Sequence, residues 1–235
     1  MSPQPRSSTR EQLRIWTVAF VIFLALVVVA LIPTVVKQQK AADRTTALSG
    51  IRQMGMSLFE FDSEYGSFPD DTTALKIPEK QCAGYKLTGD HSNDYFRQLI
   101  VVGLKSERPF WCKTSFSPKK PDDDCTPSKA LQAGEVGYSY IMASPTEGQS
   151  SSGDPGRPVV VAASYKARAD WTFDPEALSG TAVILKLDNS ATASFIRGDN
   201  KYITTGVAGR YLQTTGDDTP WGTDAFPYLR APQPK

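Results

Sequence analysis

The chain has 235 residues, a formal net charge of +1 and a single histidine. That length admits one sizeable domain with a terminal segment, or two small domains, and near-neutral charge leaves no global field to favour nucleic acid. Cys82, Cys112 and Cys125 form no C-x-x-C motif, and His91 alone cannot complete an ordinary zinc site with them.

The first element is the run from Ile15 to Val36, which contains no ionisable residue. As a helix it would be about 33 Å long, enough to cross a ~30 Å hydrocarbon layer. Val, Leu, Ile and Phe dominate it, and each favours insertion at a helix centre. A cleaved signal peptide has a shorter apolar core and a small-x-small exit, whereas this run leaves through TVVKQQK. The run is therefore read as an uncleaved transmembrane helix. Arg6, Arg10 and Arg14 precede it, and Lys37, Lys40 and Arg44 follow it. Long domains translocate largely regardless of charge, so residues 1–14 are expected inside and the remainder outside.

Pro33 interrupts this run. In a water-soluble helix an interior proline costs about 3 kcal/mol. In a membrane helix it is better tolerated and commonly produces a kink.

Residues 37–65 read as a continuation of the same helix with one wet side. Ala47, Leu48, Ile51, Met54, Gly55, Leu58, Phe59 and Phe61 recur at steps of three and four, the signature of an amphipathic stripe. SEYGSFPDD, with Gly66 and Pro69, reads as the helix stop.

The body follows. Residues 92–104 read as a short helix capped by Ser92 or Asn93 and stopped at Gly103. Residues 110–127 form a proline-rich charged loop, 135–143 alternate as a strand, and 147–158 form a flexible connection. Residues 157–164 are a second strand, and 181–196 a third and fourth joined by a turn at 188–190. Helix, loops and then an antiparallel meander predict an α+β fold with the long helix packed on a small sheet.

In an oxidising compartment one cysteine pair can close, with Cys112 and Cys125 the candidates, and such a loop contributes ~3 kcal/mol. Three unpaired thiols are the alternative. The tail carries Asp217, Asp218 and Asp224 around Trp221 and Gly222. These are the calcium candidates, but they lack the D-x-D-x-D-G spacing that surrounds a hard cation, so a solvated acidic loop is the default.

No nucleophile elbow, Walker loop, dinucleotide fingerprint or H-E-x-x-H motif is present. SPKK at 117–120 is followed at once by PDDD, which cancels the charge that phosphate binding needs. No catalytic residue, cofactor or nucleic-acid partner is expected.

The segment ALIPTVVKQQKAADRTTALSGIRQMGMSLFEFDSEYGSFPDD, residues 30–71, resembles the N-terminal helix of type IV pilin-like proteins and type II secretion pseudopilins. The resemblance lies in Pro33, the small/basic stretch Lys37–Arg44, the stripe Leu48, Ile51, Gly55, Leu58 and Phe61, and the Tyr65–Pro69 turn with Gly66. Major pseudopilins also carry a Pro-Trp-Gly loop, earlier in their chains. Family members have a Gly before the prepilin cleavage point and a Glu near the start of the mature chain. Here Glu11 and Gln12 stand at the cleavage point and Trp16 at the Glu position.

The resemblance thus implies pilin architecture without prepilin processing. It also implies a bacterial inner-membrane, single-pass protein whose residues 66–235 form an exported, periplasmic head, with lipid and like helices as partners. The expected function is a structural subunit or scaffold in protein transport. The alternatives are a membrane-anchored ligand-binding or sensory domain and, third, an anchored hydrolase.

Overall fold

The computed structural model describes residues 9–204, 211–223 and 225–235, with the side chains of 9–13 and 28–31 excepted. The chain divides into two compact units, Met1–Lys40 and Ala41–Lys235. Helix α1 (Thr9–Tyr65) is unbroken and includes Pro33.

In the first unit the described side chains of Arg14–Val27 and Ile32–Gln39 are exposed on every side of the helix. Ile15 is 68% exposed, Trp16 74% and Phe20 64%. A soluble helix would hide such a surface.

In the second unit α1 buries the stripe Ala47, Ile51, Met54, Leu58 and Phe61, while Leu48 and Phe59 are half-buried against the same core. Each fully buried large apolar side chain contributes roughly 1.5–3 kcal/mol. The helix ends at Tyr65, where Gly66 takes φ +88° and its N–H donates to the Asp62 carbonyl at 2.8 Å. Left-handed backbone of this kind favours glycine.

Three short helices follow: α2 (Asp71–Lys76), α3 (Glu79–Cys82) and α4 (Ser92–Val102). The second aspartate of the helix stop thus opens a new helix. The Asp70 carboxylate accepts the Thr73 N–H at 2.6 Å, and the Thr73 hydroxyl accepts the Asp70 N–H at 2.8 Å. That reciprocal pairing is a capping box. The N-cap of α4 lies one residue before the expected caps, at His91, whose N–H donates to the Asp94 carboxylate at 3.3 Å. Gly103, at φ +138°, stops it as expected.

The sheet comprises β1 (Ser139–Met142), β2 (Pro158–Ala162), β3 (Thr181–Lys186), β4 (Ala191–Phe195) and β5 (Tyr228–Arg230). Its order is β4-β3-β2-β1-β5, antiparallel throughout. The fold is therefore α+β, with a long N-terminal helix and a small antiparallel sheet. β5 has no counterpart in the sequence reading.

Both faces of the central strands β1 and β2 are covered. Tyr140, Met142, Val160, Ala162, Val183 and Leu185 join the core shared with α1 and α4. Ile141, Val161, Ala182, Ile184 and Leu229 point the other way, into a second core with Phe173, Ile196, Ile203, Leu212 and Trp221. This explains why every residue of β1 and β2 is buried. Alternation marks opposite faces of a strand, but here neither face is wet.

Candidate functional site

The apolar helix is the first candidate. Among the described residues α1 is the one helix long and apolar enough to cross a membrane. Pro33 lies within it and is exposed. Proline carries no N–H, so one rung of the hydrogen-bond ladder is missing at that point. Arg14 before the apolar stretch, and Lys37 after it, place positive charge at both of its ends.

The second candidate is the junction by which the last turns of α1 seat on the head. Ile51, Gly55, Leu58, Phe61 and Pro69 are buried there, Leu48 half-buried and Gly66 exposed. At Gly55 the helix passes close against the β3–β4 hairpin. A Cβ at that position would lie 2.9 Å from Leu185 Cδ1 and closer still to Asn189 Oδ1.

Two tyrosines add polar ties that periodicity does not reveal. The Tyr138 hydroxyl donates to the Ala47 carbonyl at 2.8 Å, and that of Tyr140 to the Pro69 carbonyl at 3.0 Å. Burial holds both phenols well above their ordinary pKa, so they remain protonated donors.

Asp62 is the carboxylate that sequence reasoning missed. It stands four residues after Leu58 and seven after Gly55, on the face of α1 that carries the apolar stripe, and it is buried there. Its Oδ2 accepts the Ser151 N–H at 3.1 Å, the Ser150 hydroxyl at 3.5 Å and, in a short contact, the Ser151 hydroxyl. Gln149 donates from Nε2 to the carbonyls of Ile141 and Pro158, both at 2.8 Å. The Ser/Gly-rich segment expected to be a flexible connection is therefore pinned at both ends by buried polar groups.

A third group gathers around Glu107. Its Oε1 accepts the Leu131 N–H at 2.5 Å, and its own N–H donates to Asp123 Oδ1 at 3.0 Å. The side chain is fully buried, and among the described residues Oε2 has no hydrogen-bond partner. Burial, reinforced by the charges of Glu135 and Asp122, pushes its pKa up to about 7.

The candidate Cys112–Cys125 disulfide is not formed, and all three cysteines are free thiols, the alternative the sequence left open. The Cys112 thiol is buried and donates to the Gly137 carbonyl at 3.3 Å. Its pKa is raised by that burial. Cys125 is raised by burial and then by the charges of Glu107, Asp123, Asp124 and Asp122. Both sites thus disfavour the thiolate that disulfide chemistry requires.

Of the calcium candidates, Asp217 and Asp218 are exposed in the turn before Trp221, and Asp224 lies outside the described residues. Among the described residues no three His, Cys, Asp or Glu side chains are placed to hold a metal ion together. Trp221 itself is structural. It is buried in the second core, its Nε1 donates to the Leu212 carbonyl at 2.5 Å, and Arg157 Nε donates to the Pro220 carbonyl at 3.0 Å.

One cleft of about 190 Å³ lies where α1 meets the end of α4, lined by Ser57, Glu60, Phe61, Glu64, Leu99 and Val102 among others. Two carboxylates on its rim give it a negative lip, and the Ser57 hydroxyl there donates to the Gln53 carbonyl at 3.4 Å.

No family model, curated protein or solved structure matches this chain. The class is thus defined by its own geometry: an α+β head whose first helix continues from an exposed apolar segment able to span a membrane.

Proposed function

We propose that the chain is a pilin-like, single-pass subunit of the bacterial inner membrane, with its head outside the cytoplasm. Its role is structural, as a subunit or scaffold of a type II secretion or type IV pilus-like assembly. One observation carries this reading. A single helix is apolar and exposed around its whole circumference in Arg14–Val27, yet buries one stripe against its own sheet from Ala47 to Phe61. The exposed part needs a solvent other than water. In lipid, backbone polar groups must be satisfied within the segment, which a helix achieves, and helices then associate laterally by packing.

Pro33, the basic stretch and the Gly66–Pro69 turn support the pilin-like form of this reading. The residues around Glu11 and Trp16 support retention in the membrane without prepilin cleavage. Fractionation tests the anchor: the chain should sediment with membranes, resist salt and alkaline washing, and dissolve in detergent. Intact mass tests retention of the N-terminus. Recovery in the soluble fraction, or loss of the first ~12 residues at the point aligned with prepilin processing, overturns the corresponding part.

A further inference from the structure

Residues 111–138, between the short turn Arg108–Phe110 and β1, contain no helix or strand. The middle of this stretch is nonetheless held down. Arg97 of α4 donates from Nε to the Ala130 carbonyl at 2.8 Å and from Nη2 to the Leu131 carbonyl at 2.9 Å. Asn93 Nδ2 donates to the same Leu131 carbonyl at 2.9 Å, and the Tyr85 hydroxyl to the Cys125 carbonyl at 2.5 Å. Ala130 and Leu131 are buried under these ties.

Glu107 supplies a further tie, from Oε1 to the Leu131 N–H. It differs from the others because its charge can change near neutral pH. Among the described residues its second oxygen, fully buried, has nothing to bond. A buried carboxylate without a partner is far costlier than a buried neutral carboxyl. Closed, the site therefore favours the proton. Lifting the segment would let water reach the charge.

The neighbouring charges act in the same direction. Burial opposes the charge on Glu107 most strongly, and Glu135 and Asp122 repel it, while the N–H groups of Leu131 and Asp123 favour it. The cations around the site are engaged elsewhere. Arg108 pairs with Asp123 at 2.6 Å, Arg97 with Asp94 at 2.6 Å and Lys86 with Asp94 at 2.9 Å. Lys119 acts on Glu135, and Lys129 on Glu135 and Asp124. The Cys125 thiol is pushed up by burial and stays neutral. Leu131 and Asp123, which bond Glu107 through an N–H and a carboxylate, have φ of +50° and +63°. A non-glycine residue keeps such a backbone only where its surroundings hold it.

We propose that Glu107 is a proton-operated latch: protonated, it holds the segment 122–132 against α4, and on losing the proton it lets that segment lift. Arg97, Asn93 and Tyr85 do not change charge between pH 5 and 8, so they set how far the segment opens, and Glu107 sets when. The device lies wholly within the head and is independent of the anchor.

Hydrogen exchange of the full chain in detergent, between pH 5 and 8, tests this. Exchange rates are divided by their intrinsic values, so that only opening is read. Protection of the Leu131 amide should fall roughly tenfold per pH unit from pH 5 to about 7, the slope for one proton lost on opening, and level off above. The Ile184 amide in β3 should stay more protected throughout, which marks the opening as local. In Glu107→Gln the Leu131 profile should be flat. Glu135→Gln should keep the slope and bring the plateau to lower pH, a measurement that stands even if Glu107→Gln does not fold. A flat profile in the parent, an unchanged slope in Glu107→Gln, equal protection of Leu131 and Ile184, or loss of the slope in Glu135→Gln overturns the proposal.

Discussion

The Tyr138 hydroxyl donates to the main-chain carbonyl of Ala47 at 2.8 Å, joining two residues 91 positions apart. It fixes the point at which α1 first becomes buried. The Ala47 carbonyl also serves the helix's own i→i−4 ladder, so removing the phenol leaves no orphaned acceptor. Tyr138→Phe should therefore cost only about 1 kcal/mol, read as a small drop in denaturation midpoint of the head in detergent. A loss of several kcal/mol would mean that the hydroxyl does more than this bond.

Gly55 sits where α1 packs against Leu185 and Asn189. In an exposed helix Gly→Ala gains about 1 kcal/mol of propensity. Here the added methyl has no room, and overpacking costs typically 1–3 kcal/mol. Gly55→Ala should be net destabilising, and Gly55→Leu more so, while Ser49→Ala on the exposed side should be nearly neutral. A Gly55→Ala variant more stable than the parent contradicts the packing.

Glu107 makes stability depend on pH. Its folded pKa, about 7, lies above the ordinary carboxylate value because burial penalises the charge. The folded state therefore holds the proton more tightly than the unfolded chain. The associated stability is fully present below the unfolded pKa and is lost as pH rises through the window up to about 7, with a total on the order of 3 kcal/mol. Thermal midpoints should fall across that window, and Glu107→Gln should flatten the fall. An unchanged slope in Glu107→Gln assigns the titration elsewhere.

Asp62 ties Ser150 and Ser151 to α1. Asp62→Ala should release the segment 147–157 and make it the first site of limited proteolysis, whereas Asp62→Asn keeps an acceptor and should protect it in part. Equal cleavage of the variants and the parent would show that Gln149, not Asp62, holds the segment.

The three cysteines are free, and Cys112 is buried. Without reductant, the denatured chain should titrate with three thiol equivalents, and Cys112 should stay unlabelled until denaturant is added. A count of one equivalent would restore the Cys112–Cys125 bridge.

How far the fold can be read in advance varies along the chain. The stripe from Ala47 to Phe61 is legible because one side of that helix is wet, which leaves a period of three and four in the residue types. β2, β3 and β4 are legible as apolar or alternating runs between turn residues. β5 is not, because three residues between prolines carry no period. The start of α2 is hidden because Asp70 and Asp71 look like the end of one helix, and only the Thr73 partner identifies Asp70 as the cap of the next. Asp62 falls on the buried stripe by spacing, four residues after Leu58, but spacing along α1 cannot tell which partner a distant loop will bring.

By itself the sequence determined the apolar span, its basic flanks, the position of Pro33 and the α+β class, because these depend on composition and local periodicity alone. Only the tertiary structure decided that the tail around Trp221 covers the second face of the sheet, that Cys112 and Cys125 stay apart, and that Glu107 is buried with a raised pKa. Those outcomes depend on which segments, far apart in the chain, meet in space, and burial and hydrogen bonding act on the residues only after they have met.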